Sequence, residues 1–239
     1  MDVSEAIRKR RSIKQYLDIP VEWDKIGSVL DSGRLAPSAG NLQPWKFIVV
    51  LNPEGRKKIS EACFQQYWMQ TAPCHIIICA EINKMNRFYG VRGERLYSIQ
   101  SCAAAAENML LEAVNQGLAG SFVSAFDEEM IKRHFKIADF ARPQIIITLG
   151  YPGEEIPPPP KYTLNDIVHV EMFMAKIKDF EGYLGYGWGR NIKNAVMKSK
   201  DVFDKIASRG EGAIKKVAGK MKINEPPEKK SDFRYRGGG

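Results

Sequence analysis

The run Gln144-Ile145-Ile146-Ile147-Thr148-Leu149-Gly150-Tyr151-Pro152 constrains the fold more than any other stretch. Consecutive apolar residues closed by Gly and Pro read as a strand buried inside a sheet. Three further strands are expected at 46–51, ended by Asn52-Pro53, at 75–81 (HIIICAE) and at 118–124. Helical spacing appears at 3–10, with Val3, Ala6 and Ile7 on one face, and at 22–35, where Trp23, Ile26, Val29, Leu30 and Ala36 recur. Further helices are expected near 54–70, over 95–116 and at 128–137. Gly117 is placed to end the long helix and Asp127 to begin the last one. Residues 83–94 are charged and aromatic without periodicity, and predict a mobile loop or lid. The four prolines at 157–160 predict extended polyproline. Strands among helices of uneven length indicate an α+β fold or a three-layer sandwich. No GxGxxG joins a strand to a helix and no Walker A is present. The Gly185-Tyr186-Gly187-Trp188-Gly189 run follows no strand and is discounted as a nucleotide loop.

A core of 239 residues needs no staple, because a chain of this size buries about 70% of its unfolded surface. Cys63, Cys74, Cys79 and Cys102 form no CxxC pair, and the three histidines are scattered, so no metal site is expected. The opening MDVSEAIRKRRS has no apolar stretch before its charges, and no apolar run approaches membrane-spanning length. The expectation is a reduced, cytoplasmic protein. Charge is unevenly placed: residues 1–175 hold 20 Lys+Arg and 20 Asp+Glu, whereas 176–239 hold 16 and 8. The whole net charge of +8 therefore belongs to the last quarter of the chain.

Four stretches carry candidate chemistry. The loop 36–46 (APSAGNLQPWK) has two prolines and a glycine that fix its course, and its Ser38, Asn41 and Gln43 suit the edge of a flat polar heterocycle. It reads equally well as a helix-to-strand connection. The run Arg8-Lys9-Arg10-Arg11-Ser12-Ile13-Lys14 fits a phosphomonoester, which carries roughly −1.5 to −2 charges, or else a nuclear address, a nucleic-acid arm or a solvated helix end. Lys161 follows the stiff proline run that can deliver a cation to a fixed place, or is a plain exposed lysine. Residues 117–126 (GLAGSFVSAF) allow close backbone approach to a ligand, with Phe122 against a ring, or form only a tight turn.

Taken in order, RRSxK, PSxxNxQPW, the glycine-rich turn and GYP…K resemble the nitroreductase family of FMN-dependent oxidoreductases, including its iodotyrosine deiodinase branch. The resemblance covers roughly residues 3–170. It implies a three-layer α-β-α sandwich with a mainly antiparallel central sheet, in a domain-swapped homodimer. By the same resemblance Arg10, Arg11, Ser12 and Lys14 hold the FMN phosphate and ribityl chain, completed by Lys161. Pro37, Ser38, Ala39, Asn41 and Gln43 lie over the flavin ring, commonly that of the partner subunit. Phe122, Val123, Ser124 and Ala125 face the pyrimidine edge and N5. Lysine stands at 14 and 161 where the family commonly has arginine, so charge is kept and bidentate geometry lost. Ser124-Ala125 replaces the Glu-Gly of some members.

The implied activity is a two-step exchange in which NAD(P)H reduces the flavin and a small organic acceptor then oxidises it. No side chain is needed as nucleophile or acid, and no Ser-His-Asp or Cys-His pattern is present. Arg87, Phe88, Tyr89 and Arg92, in the lid-like stretch, are the candidate substrate contacts. The expected organisation is an FMN-binding domain over 1–175, a basic amphipathic helical extension over 176–223 and a disordered tail over 224–239. The extension suits packing on the protein's own surface or dimer mate, an acidic partner, or an anionic membrane, with nucleic acid a remote alternative.

Overall fold

At the centre of the molecule β2 (Cys74–Glu81) and β4 (Ala141–Gly150) run antiparallel, with Ile76, Ile77 and Ile78 opposite Ile147, Ile146 and Ile145. β1 (Trp45–Val50) flanks β2 and β3 (Ala119–Val123) flanks β4, giving a four-stranded antiparallel sheet in the order β1-β2-β4-β3. Register shifts between Ile78 and Cys79, leaving Gln144 as an extra residue beside Pro143. A proline cannot donate to the ladder, so its place within a central strand is at a bulge.

Because successive side chains alternate across a strand, the isoleucine runs feed both faces. On one face Ile76, Ile78, Ile145 and Ile147 meet Ile26 and Val29 of α2 (Trp23–Arg34) and Cys102, Ala105, Ala106 and Met109 of α5 (Ser98–Asn115). On the other, Ile77, Cys79 and Ile146 meet Ile59 and Ala62 of α3 (Pro53–Ala62) and Ile131 of α6 (Glu128–Phe135). Helix, sheet and helix make the three layers. α1 (Val3–Lys9) rests against α5, burying only Ala6. The computed structural model describes residues 1–176. The chain divides after Pro159 into two units, and the described part of the second holds one short helix, α7 (Leu164–Ile167). Residues 177–239, with all but the first residue of the 176–223 extension, the Gly185–Gly189 run and the 224–239 tail, lie outside the described residues.

The helix boundaries follow their caps. Asp127 accepts from the Met130 N–H at 2.9 Å, as expected, and Asn52 caps α3 with Pro53 in its first turn. Such caps contribute about 1 kcal/mol each. Gly117, at φ 74°, ends α5, with Leu118 N–H donating to Ala113 O at 2.8 Å and Gly117 N–H to Val114 O at 3.1 Å.

Three expectations are corrected. The helix expected over 54–70 stops at Ala62: Phe64 and Gln65 adopt left-handed φ of 56° and 60°, and a separate turn covers Tyr67–Thr71. The loop expected at 83–94 is instead a helix, α4 (Ile82–Arg92), kinked at Gly90 and followed by a wide turn over Gly93–Tyr97. Its only buried residue is Met85, so there was no apolar stripe for the sequence to display. Trp23, Val3 and Ile7, counted on apolar faces, are 67, 71 and 55% exposed.

His75 stands apart from the other polar residues of the core, which are serines and a threonine. His75 on β2 is fully buried, and neither ring nitrogen has a hydrogen-bond partner of proper geometry among the described residues, though the Met69 backbone lies beside it. The neighbouring Arg56 gives Nη1 to the Gln70 and Ala72 carbonyls at 3.3 and 3.0 Å, and its buried Nε is also unmatched. Burial, reinforced by the Arg56 charge, pulls the His75 pKa down to about 3. Above an unfolded value of about 6.5 both states are neutral, and no stability depends on the proton. As pH falls from there towards 3, only the unfolded chain takes up the proton, so stability declines by up to ~1.4 kcal/mol per pH unit. Denaturant unfolding of His75→Gln should accordingly lose less stability between pH 6.5 and 4 than the parent chain. Parallel pH profiles would refute the assignment.

Candidate functional site

Residues 12–16 are laid along the free edge of β3 and stitched down on both sides. Ser12 bridges in parallel to Gly120, and Tyr16 antiparallel to Pro152. The Ser121 hydroxyl donates to Ile13 O at 2.7 Å. The Tyr16 hydroxyl donates to the same carbonyl at 2.8 Å and lies 2.6 Å from Thr148 Oγ1, which also accepts from Ser121 N–H at 3.0 Å. Burial pushes the Tyr16 pKa up to about 12 against the opposing pull of these hydroxyls, so it stays a neutral phenol. From the far side, Glu154 Oε1 accepts Lys14 N–H at 2.6 Å and Gln15 N–H at 3.0 Å, and Gly153 N–H donates to Gln15 O at 2.9 Å. Ile13 and Tyr16 thus point inward while Ser12 and Lys14 stand exposed.

The basic side chains divide in role. Arg11 is half-buried and gives Nε to Ile156 O at 3.2 Å and Nη1 to the Arg10 carbonyl at 2.8 Å. Arg10 lies 3.5 Å from Glu107 of α5. Lys14 Nζ has no carboxylate partner among the described residues and lies 5.7 Å from the Trp68 ring centroid, within cation–π range. A cleft of about 510 Å³ opens beside Arg8, Arg11, Ile13 and Leu118, but Glu154 and Glu155 also line it and Ser12 and Lys14 do not. The exposed face of the segment suits an anion better than this cleft does.

Immediately along β3, Phe122 is 41% exposed and Val123 is buried, and Ser124 and Ala125 emerge exposed before the α6 cap. Phe122 pairs with Ile147, so it stands on the α5 side of the sheet at its edge strand. The basic segment and the 122–125 turn are therefore neighbours.

The 36–46 loop is a separate construction. Ala36, Pro44 and Trp45 are buried anchors. Between them a short turn over Ala39–Asn41 closes on itself: Asn41 N–H donates to Ser38 O (3.0 Å) and Leu42 N–H to Ala39 O (3.1 Å). Ser38 Oγ accepts from Gln43 N–H at 2.9 Å, and Gln43 Nε2 donates to Asn41 Oδ1 at 3.2 Å. Gly40, Asn41 and Gln43 have φ of 57°, 54° and 48°. Left-handed non-glycine residues cost energy, so the surrounding bonds must hold the loop in this shape. Pro37 is exposed. Against Gly40 rests the hydroxyl of Tyr89 from α4, close enough that a Cβ there would collide with it. Tyr89 meets Tyr97 edge-on at 5.2 Å, and Arg92 Nε donates to the Tyr97 hydroxyl at 2.9 Å. Arg87 and Phe88 are exposed on the same helix.

Among the described residues no hydrogen bond or ion pair joins residues 38–43 to residues 10–14 or 122–125. The candidate residues fall on two separate surfaces, one on the edge of β3 and one on the loop before β1 with α4. Lys161 falls in the second unit and is exposed there. Sequence reasoning missed Glu154, Thr148, Trp68 and Tyr97, and took Ser121 only as part of the 117–126 turn. Only their positions after folding make them relevant, although Glu154 comes two residues after the GYP that did attract notice.

A family model described as the nitroreductase family matches residues 7–68 and 62–151, and the chain belongs to that family. A protein of Methanothermobacter thermautotrophicus whose name joins NADH dehydrogenase and NAD(P)H nitroreductase is 36% identical over 160 residues, 64% of this chain and 79% of the relative. The FMN reductase [NAD(P)H] of Bacillus subtilis is 29% identical over 130 residues, 54% of this chain and 51% of its own. Among solved structures, an FMN-dependent nitroreductase of Clostridium difficile R20291 superposes with a TM-score of 0.60 at 27% identity, over 70% of this chain and 98% of that one.

The contact between Gly40 and Tyr89 yields a double-mutant test. Gly40→Ala should destabilise the chain by ~1–2 kcal/mol through left-handed strain alone, and by more through the collision with Tyr89. Adding Tyr89→Ala should recover the collision part and leave the strain. Additive losses in denaturant midpoints would mean that the two residues do not touch.

Proposed function

We propose that the chain is a homodimeric FMN-dependent oxidoreductase that carries electrons from NAD(P)H to a small organic acceptor. The acceptor is a nitroaromatic, a quinone, a free flavin or a halogenated phenol. The observation that carries this reading is the pinning of Arg11, Ser12 and Lys14 beside the Phe122–Ala125 turn in a member of this family. The residues suit FMN on their own chemistry. Lys14 has no carboxylate partner among the described residues and Ser12 is exposed, so both are available to a phosphate, and Phe122 offers an exposed ring. In this assignment Arg10, Arg11, Ser12 and Lys14 hold the phosphate and ribityl chain, with Lys161 as a further cation. Arg10 and Arg11 also brace the segment through Glu107 and Ile156. Phe122, Val123, Ser124 and Ala125 border the pyrimidine edge and N5.

When bound, FMN supplies the electron chemistry, its ring taking a pair from NAD(P)H and yielding it to the acceptor in two steps. The protein's part is to hold, orient and shield. Pro37, Ser38, Ala39, Asn41 and Gln43 belong to a loop whose polar groups are already arranged, so covering a ring costs it little ordering entropy. That loop lies on the other surface, which supports a second copy of the chain supplying it. The exposed Val3, Ile7 and Leu35 support the same reading, since they offer apolar surface for a subunit contact. Arg87, Phe88, Tyr89 and Arg92 border the substrate. The Cys63, Cys74, Cys79 and Cys102 thiols, pushed up to about 12 by burial, take no part.

A second reading rests on the concentration of the +8 charge in 176–239: the extension recruits the flavin domain to an acidic partner or anionic surface, with redox activity incidental. No helix among the described residues is long and apolar enough to cross a membrane.

The purified protein should be yellow, and its absorbance should bleach under NAD(P)H without oxygen. Lys14→Gln removes one charge-assisted contact of about 1.5–3 kcal/mol, so FMN affinity should fall roughly 10- to 100-fold. Asn41→Ala should also lower flavin retention. A colourless protein that takes up no added FMN would sink the proposal, and normal retention in Asn41→Ala would return the loop to a plain connection.

A further inference from the structure

Cations in Met1–Pro159 are commonly matched at close range: Lys58 lies 2.6 Å from Glu54, Arg34 2.7 Å from Asp31 and Arg142 2.6 Å from Glu128. Apart from the part-buried Arg56 and the pair Arg133 and Lys136 at the end of α6, those without a carboxylate partner among the described residues fall in two places. One is Arg8, Arg11 and Lys14, at the surface already assigned to a phosphate. The other is Lys84, Arg87, Arg92 and Arg95, on α4 and the turn after it. Segment 82–97 holds these four cations and one anion, Glu94, a net of +3. Glu94 accepts from Asn86 Nδ2 at 2.8 Å, and among the described residues no ion pair joins it to these four cations. Like charges gathered on one short segment repel one another and are tolerated best where an anion arrives to neutralise them.

The same segment presents flat apolar surface. Phe88 is 61% and Tyr89 40% exposed. Tyr97 braces Tyr89 edge-on, and the Arg92 guanidinium lies 5.5 Å from the Tyr97 ring centroid. Tyr89 in turn touches Gly40, within the loop read above as the cover of a flavin ring. Arg92, Tyr97, Tyr89 and the covering loop thus form one chain of contacts, with Arg87, Phe88 and Arg95 on the same segment.

We propose that the electron acceptor is a planar aromatic anion, such as a nitro-substituted aromatic carboxylate, whose nitro group takes two electrons and two protons, supplied overall by NAD(P)H and H⁺, to give the nitroso compound and water. The acceptor's ring lies against Phe88 and Tyr89, and its negative charge sits among Arg87, Arg92 and Arg95. This rests on the reading that the 38–43 loop covers bound FMN, and names the acceptor that reading left open. An aromatic ring gains from stacking and from the neighbouring guanidinium planes, and its charge supplies the partner that the segment lacks.

The test uses the full chain, loaded with FMN and oxidised, titrated with 4-nitrobenzoate and with the neutral isostere 4-nitrobenzamide while flavin absorbance is followed without turnover. The benzoate should bind about tenfold more tightly at low ionic strength, and the preference should shrink towards unity near ~0.5 M salt. Arg87→Gln/Arg95→Gln should abolish the preference, and Arg87→Lys/Arg95→Lys should keep it. Equal binding of the two ligands, or a preference untouched by the Gln pair, overturns this inference and leaves the flavin assignment standing. Displacement of 4-nitrobenzamide by NADP⁺ but not by benzoate assigns the cations to the electron donor and overturns it too. Failure to take up FMN removes both readings together.

Discussion

Three consecutive isoleucine pairs between β2 and β4 set the terms for the rest of the molecule. A strand pair that is apolar on both faces must be covered on both, so α2 and α5 close one side and α3 and α6 the other. Burying a residue of this size contributes roughly 1.5–3 kcal/mol, and the central pair holds six of them. The outer strands need less cover, and the β3 edge is left available for residues 12–16 to use as a template. The candidate surface on that edge is held by the core pairing through β3, where Phe122 and Val123 lie opposite Ile147 and Ile146.

What could be read in the sequence follows from how burial is distributed. The central strands were legible as continuous apolar runs, α2 and α5 because their buried residues recur at helical spacing, and α6, which buries Ile131 alone, because Asp127 marks its start. α4 was illegible because it buries Met85 alone, and a helix anchored at one point has no stripe. α3 was drawn too long because nothing local announces that Phe64 and Gln65 take left-handed conformations. Trp23 was counted towards a face by spacing, yet it begins the helix where the core no longer reaches.

The candidate site was legible as separate pieces. The 36–46 loop, the basic run and the 117–126 turn all stood out by composition, and the last two lie side by side in space. What composition did not convey is that residues 12–16 are fixed by Thr148, Ser121 and Glu154, which come more than a hundred residues later. The arginines of the run also looked alike in the sequence. In the fold Arg10 faces a carboxylate and Arg11 braces backbone, while Lys14 is left to a tryptophan ring. Such a division of labour is set by neighbours and has no sequence signature.

The four cysteines sort themselves between the layers. Cys74 and Cys102 belong to the α2–α5 face, Cys63 and Cys79 to the α3–α6 face, and all four are shut away from water. A thiol in that condition reacts with an electrophilic reagent only while the packing around it is open. The native chain therefore carries two pairs of internal timers, one on each side of the sheet. The relative labelling rates of the pairs distinguish a molecule that opens all at once from one that peels a single helical layer.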